Sequence, residues 1–570
     1  MKQLVVSEGI VFKLLVVLII SISSFNSFAQ WNNSTDLNTI VYEGGIHGSK
    51  IVNCANSYYV SFYQILLGSR IPWLYRISFD GYLEWSGNGL LVNDSDQPSN
   101  YTRYDIKVDA SNNAIVVYRN ESPSQQEQYV TTYKISPEGE FLWGDNGKRF
   151  DIVGAMELSP LLCINQDSSI TMMTNLFLDN PNHPGSQIAL MRYSSAGDEL
   201  WGTEVIIGFE IYSAINIGIV PDGENGCYVI YIKIYNGDDE IFVRRINDEG
   251  ISIWPQDIQI SDGNLGAITN ASIKRGDKGE VFVAWKSFIG SPFTSKVFVM
   301  GVNPDGSKTW NGNPIGMFED ETDCQMSEHI LGQDSEGNLF VVWSECYENG
   351  STSIDLLGQM ISSSGDLLWE PGGKRFVVDG QFTSLASQIH NDTIFLCYKD
   401  AIFHLDSYQA VNLIAITTNG NAVWTNSTVL NSEMTSKPGL YMSQIINGQG
   451  VVCFESHEMS GNSKGQVKIQ NFRTDGSIGP RNTSIKDLER DENIANIWYN
   501  DQLRSIEIRS HTMLESYSVI DLYGRVVKSC ELHYSTATRL IIPCHDLCSG
   551  IYIVRIIDGI GFSTKKLFVQ

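Results

Sequence analysis

Few residues in this sequence stand at spacings that could do chemistry. Glu319, Asp320, Glu321 and Asp323 crowd one segment, and Asp238, Asp239 and Glu240 another. A calcium site needs several oxygen ligands brought together in this way. No EF-hand spacing frames them, and solvated acidic loops are commoner than metal sites, so calcium at these two loops is the one cofactor reading and no other cofactor is expected. Gly461-Asn462-Ser463-Lys464-Gly465 has the form of a nucleophile elbow. It falls in a loop between strand-like runs, without the following helix that the mechanism requires. Cys544, His545 and Cys548 supply three ligands where a structural zinc site takes four, so a disulfide is simpler. The nine histidines are scattered and form no His-Glu-x-x-His. A carboxylate pair drawn from distant segments would leave no spacing to read. Catalytic residues therefore stay unassigned.

The elements that would position such groups start after an export signal. Lys2 and Lys13 precede the apolar run Leu14–Ile22 and Ser-Phe-Ala at 27–29. That run is about half the roughly 20 residues of a membrane-spanning helix, so residues 1–29 read as a cleaved signal peptide and the mature chain as beginning at Gln30. No later stretch approaches transmembrane length. Hydrophobic residues make up 42% of the chain, which fits a globular protein, and the net charge of −26 argues against nucleic acid or anionic lipid as partners. Of the ten cysteines, Cys227, Cys397 and Cys453 lie inside apolar strand-like runs and read as core thiols. The remaining pairing candidates are Cys324 with Cys346, and Cys530 with Cys544 or Cys548.

A repeat organises the chain. SFDGYLEW, SPEGEFLW, SSAGDELW, NDEGISIW, NPDGSKTW, SSSGDLLW and TTNGNAVW are followed by RTDGSIGP, which lacks the tryptophan. Their glycines stand at 81, 139, 197, 250, 306, 365, 420 and 476, a period of 53 to 59 residues that suits a four-stranded propeller blade. Glycine supplies the positive φ of a tight hairpin; the tryptophan four residues on is expected to begin the outermost strand and to fill the space between blades. The last copy stops short, while Trp31-Asn32-Asn33-Ser34-Thr35 echoes Trp424-Thr425-Asn426-Ser427-Thr428. Residues 31–45 are therefore expected to close the last blade, which hides both exposed sheet edges. The fold class expected is all-β, with an eight-bladed β-propeller over 30–485; without that closure the count falls to seven blades.

The turn resembles the Asp-box of sialidases, Ser-x-Asp-x-Gly-x-x-Trp, although here an acidic residue often directly precedes the glycine and the tryptophan follows at four. Arg70-Ile71-Pro72 is similar to an Arg-Ile-Pro element of the same enzymes, but no arginine triad or tyrosine nucleophile can be assigned. The resemblance implies a propeller hairpin and no particular activity. The first-to-second and third-to-fourth turns of each blade are short and uniform. The opposite face carries long, varied loops such as RNESPSQQEQ, LFLDNPNHPGSQ and KSFIGSPFTSK, where binding is expected.

From residue 486 the repeat gives way to SIEIRS, YSVIDLYGRVV, TRLIIP, GIYIVRII and KKLFVQ, the pattern of a small immunoglobulin-like β-sandwich. DLYGRVV, LCSGIYIVRI and the closing KKLFVQ resemble a type A sorting domain of the type IX secretion system. The Asn-Pro element usual near the start of such domains is replaced by Ile497-Trp498-Tyr499-Asn500-Asp501. The resemblance implies passage through the periplasm and across the outer membrane, with the secretion machinery and a sortase as partners. It also implies removal of residues 486–570, then release or surface attachment. Its motif positions are Gly524, Gly550, Tyr552, Lys565 and Lys566. The reading is a secreted or cell-surface binding protein for a carbohydrate or protein ligand; the alternative is an extracellular glycoside hydrolase or sialidase-like enzyme.

Overall fold

The computed structural model describes residues 31–66, 69–93, 97–98, 103–121, 128–178, 185–208, 213–235, 238–261, 268–289, 294–317, 325–346, 354–380, 382–402, 405–458, 464–480, 495–500, 503–510, 514–521, 526–532, 538–545, 547, 549–558 and 561–569. It is all-β, with no α-helix among these residues. The chain divides into two compact units, Met1–Gly479 and Pro480–Gln570.

The first unit is a propeller of consecutive antiparallel meanders. Ile46–Cys54, Ser57–Leu66, Ser69–Ser78 and Leu90–Leu91 pair in sequence order, and the same order recurs along the chain. Two sheets merge neighbouring meanders, each through a single parallel pair, Met156 with Gln128 and Ser295 with Gln325. The sheet of Leu440–Met442, Gln449–His457 and Gly465–Arg473 takes its fourth strand from the other end of the chain. Thr39–Gly44 runs antiparallel to Gly465–Arg473, with Thr39 opposite Ile469 and Gly44 opposite Gly465. The first strand of each meander meets the first strand of the next, from Ile46–Cys54 through Asp105–Val108 and onward to Leu440–Met442, which meets Ile46–Cys54.

Each repeat turn builds its own geometry and then grips its neighbour. The glycines hold φ between 76° and 94° at the eight turn positions, where a side chain would be strained. At six of the eight turns the Ser, Asn or Thr three residues earlier caps the turn, the Ser78 hydroxyl accepting from the Tyr82 N–H at 3.0 Å and the Asn247 side chain from the Ile251 N–H at 2.8 Å; at the other two, Asp305 and Asp475 accept from the Ser307 and Ser477 N–H, both at 2.9 Å. At six of the eight positions the tryptophan indole crosses to the next turn and donates to the carbonyl two residues before its glycine, while the Trp310 and Trp424 indoles find no acceptor among the described residues. Trp85 reaches Pro137 at 2.9 Å, Trp201 reaches Asp248 at 2.8 Å and Trp254 reaches Pro304 at 3.1 Å. Trp31 makes the same bond to Phe79 at 2.8 Å.

The expected position of the tryptophan needs one correction. It does not begin the outer strand. Trp85 precedes Leu90–Leu91 and Trp201 precedes Val205–Ile207, because the backbone must first bend to send the indole sideways; Trp85 itself has φ 53°. Cys227, Cys397 and Cys453 are core residues as expected, and burial pushes the Cys227 and Cys453 thiols up to about 12.

The second unit stacks Ala495–Asn500, Ser505–Ser510 and Arg539–Pro543 against Leu514–Asp521, Val526–Glu531, Gly550–Asp558 and Gly561–Val569. One apolar cluster joins the two sheets, with Ile497, Ile506 and Ile542 facing Val519, Val554 and Ile556. Cys544 is buried, its sulfur 3.3 Å from the Ile542 carbonyl, while Cys548, the other partner considered for Cys530, lies outside the described residues.

Trp254→Ala should remove about 3–5 kcal/mol of stability through the lost ring and its bond to Pro304. Leu200→Ala, at a 48% exposed position beside the equivalent Trp201, should change it by less than about 0.5 kcal/mol. Urea unfolding of the two variants checks both values.

Candidate functional site

A cavity of about 680 Å³ opens among the first strands of the meanders. His47, Gly48 and Lys50 line it from Ile46–Cys54, Ser159 and Leu161 from Ala155–Ile164, and Asn216 and Ile217 from Ser213–Pro221. Arg103 and Tyr104, just before Asp105–Val108, and Tyr441 and Glu455 complete the walls used below.

The cavity is shaped by a fault repeated in these strands. Register breaks between His47 and Lys50, Leu158 and Leu161, Asn216 and Gly218, and Thr269 and Ala271, and again in the two following units. Each bulge leaves residues outside the ladder and twists the strand. Gly48 and Ser159 take positive φ there, 71° and 57°. At three of these bulges the nearby backbone is held by a side chain of the preceding unit. Glu455 accepts from the Ser49 N–H and Asn175 from the Asn216 N–H, both at 2.8 Å, while Asp105 accepts from the Leu162 N–H at 3.0 Å.

Charge in the cavity runs against that of the chain. Lys50 is half-buried, donates to the Tyr104 carbonyl and stands 4.7 Å from the Tyr104 ring centroid. Burial pushes its ammonium below the usual lysine range; Asp105 opposes this, and Lys107 and Arg103 add to it. Arg103 is exposed and has no ion-pair partner among the described residues. Glu455 is buried and committed to Ser49, with its second oxygen 3.3 Å from the His457 Nε2. The Tyr104 hydroxyl lies 2.6 Å from the Gly48 carbonyl and 2.7 Å from that of Ser61, and burial raises its pKa far above the ordinary value. Such a site presents two cations, exposed Tyr441 and polar backbone, an arrangement suited to holding a polar ligand.

A second cavity, of about 470 Å³, lies among the repeat turns. Two of its five charged groups hold adjacent units, Asp392 accepting from the Ser335 N–H at 3.0 Å and Lys374 donating to the Asn419 carbonyl at 2.8 Å, and Asp334 accepts from the Asn338 N–H of its own turn at 2.8 Å.

The residues singled out by sequence are placed elsewhere. Asp238, Asp239 and Glu240 open the strand Asp238–Ile246 rather than a loop, so alternation along the strand sends the Asp239 and Glu240 side chains to opposite faces; the Asp238 side chain lies outside the described residues. Asp239 accepts from the Ile268 N–H at 3.1 Å and Glu240 from the Gln259 amide at 3.0 Å, both internal bonds. No group of metal-binding side chains occurs among the described residues. Glu319, Asp320, Glu321, Asp323, Gly461–Ser463, Cys324, Cys548, Gly524 and the tips of the long loops lie outside those residues. In the second unit Gly550 opens an interior strand, Tyr552 is buried opposite Leu567, and Lys565 is exposed; Lys566 pairs with Ile553, its side chain lying outside the described residues. Lys50, Arg103, Tyr104 and Tyr441 escaped sequence reading because they come from three units and meet only when the strands gather. The one available signal was that they lie in, or just before, the first strand of their repeats.

Residues 497–570 match the secretion system C-terminal sorting domain. The chain is thus a cargo of type IX secretion, sent to the cell surface or beyond. The match to the sorting domain starts at the Ile-Trp-Tyr-Asn segment that stands where Asn-Pro is usual. Among the described residues no helix is long and apolar enough to cross a membrane. No curated protein matches the chain. Solved structures similar to it include a protein of unknown function from Dyadobacter fermentans, at 10% identity and TM-score 0.32, covering 55% of this chain and 94% of that one. An ulvan lyase bound to -[GlcA(1-4)Rha3S]- gives 8% and 0.42, covering 79% and 98%. An α-L-arabinanase from Penicillium chrysogenum gives 11% and 0.31, covering 55% and 92%. Likenesses this distant carry no argument about activity.

Asn175→Ala would leave the buried Asn216 N–H without its acceptor and should cost about 1–3 kcal/mol, whereas Asn175→Asp, which keeps an acceptor, should cost less. Hydrogen exchange at the Asn216 amide reads the difference.

Proposed function

We propose that this exported protein is a binding protein whose ligand, a carbohydrate or a protein segment, enters the cavity among the first strands. The observation that carries the reading is the lining itself. It offers cations, tyrosines and bulged backbone, while Glu455, the one carboxylate among the described lining residues, is already committed to Ser49. Glycoside hydrolysis draws on two carboxylic groups about 5 to 9 Å apart. Glycan-array binding by the mature chain, together with an assay for released reducing sugar, tests the choice. Binding without release is expected, and sugar release that depends on carboxylates would overturn it.

The reading extends to the frame and to export. The propeller has eight blades over 30–485, and residues 31–45 close the last of them; the Trp31 bond to Phe79 and the pairing of Thr39–Gly44 support this. Residues 1–29 direct export to the periplasm and are cleaved. The domain over 486–570, with Gly524, Gly550, Tyr552, Lys565 and Lys566 at its motif positions, is recognised by the secretion machinery and removed by a sortase. Deleting 30–45 should expose two sheet edges and cause aggregation or a fall in melting temperature of many degrees. Unchanged melting would overturn the closure.

A further inference from the structure

Resting on the binding reading above, we propose that the ligand is an acidic saccharide, its carboxylate or sulfate held by Arg103 and Lys50 beside Tyr441. The chain carries a net charge of −26, yet the wall formed by Lys50 and Arg103, with Lys107 close behind, is basic. Of the acids near it, Asp105 is engaged with Lys107 at 3.4 Å and with the Leu162 N–H, and Glu455 with the Ser49 N–H. Arg103 therefore faces the cavity with its guanidinium uncommitted among the described residues, in a fork that matches a planar anion.

The rest of the wall favours a sugar over an acidic peptide. Tyr441 and Ile217 offer apolar surface to sugar C–H faces, and hydroxyls meet the polar lining that His47 and the bulge around Gly48 provide, Asn216 being already engaged with Asn175 and, through its side-chain amide, with the Ser159 carbonyl at 2.9 Å. A field of the opposite sign outside the cavity would disfavour a polyanion of high charge density and favour spaced, single charges. Negative charge over the molecule and positive charge in the cavity thus act as a filter, admitting an acidic chain by the groups it presents one at a time.

Titration of the mature full-length chain with oligogalacturonate, alginate and chondroitin sulfate oligosaccharides tests this, with methyl-esterified oligogalacturonate and poly-glutamate as comparisons. At least one acidic saccharide should bind, about tenfold or more weaker in Arg103→Ala at unchanged melting temperature, and weaker as salt rises from about 50 to about 200 mM. The methyl ester should lose a similar factor. Because Lys50 packs on Tyr104, Lys50→Arg serves as its conservative variant and should retain binding. No binding of any acidic saccharide, equal binding of acid and ester, indifference to Arg103→Ala, or binding of poly-glutamate alone would each overturn the inference. Binding of neutral oligosaccharides alone would do so while leaving the binding-protein reading intact; carboxylate-dependent cleavage would remove that reading itself.

Discussion

The propeller unit depends on one contact, the seat of a tryptophan on the hairpin turn of the next repeat. The turn glycine makes that seat. An added methyl at Gly81 would stand 2.7 Å from the Trp31 ring, and at Gly365 the same distance from Trp310. Glycine thus answers two demands at once, a positive φ and an approach too close for a side chain. The indole in turn combines a large buried area with one N–H, which the turn carbonyl accepts at six of the eight seats; at Trp310 and Trp424 the ring is held by packing alone, its N–H finding no acceptor among the described residues. Spacing between units, the angle between neighbouring sheets and the shape of their common cavity all follow from repeating this fit.

Much of this was legible because it is local. Gly-x-x-x-Trp declares a turn and an anchor within eight residues, and its period declares how often they recur. The echo of Trp424 in Trp31 pointed to the end of the chain beside which Thr39–Gly44 is found, paired with Gly465–Arg473, since an interface that repeats in space must repeat in sequence. The cavity was illegible for the complementary reason. Arg103 and Tyr441 lie more than three hundred positions apart, and neither belongs to a motif. Asp239 and Glu240 misled because an acidic run looks like a loop, whereas in a strand the same residues diverge and spend their oxygens on internal bonds. In the second unit, chain order carried more information than composition: three short motifs at the C-terminus fixed its class before any packing was known.

The bulges tie architecture to chemistry. A regular first strand would present an unbroken ladder to the hub. Each break instead gives up local pairing, and at three of them a neighbour's Glu455, Asn175 or Asp105 makes good the loss by capping an amide near it. The same side chains that join adjacent units thereby leave bulged backbone and nearby lysine and arginine facing the space between them. Acidic groups are consumed as latches while basic groups remain, which is how a chain of strongly negative charge comes to carry a basic pocket.

The pairing of Thr39–Gly44 with Gly465–Arg473 also dictates an order of events in time. The partners lie more than four hundred residues apart, and a contact of that range forms late, after the intervening units have shortened the path between them. Whichever end of the chain leaves its exporter last sets the moment at which this strand can be laid down. Until then the incomplete sheet keeps an open edge, so the protein must either finish crossing before it folds or be held apart from its neighbours while it waits.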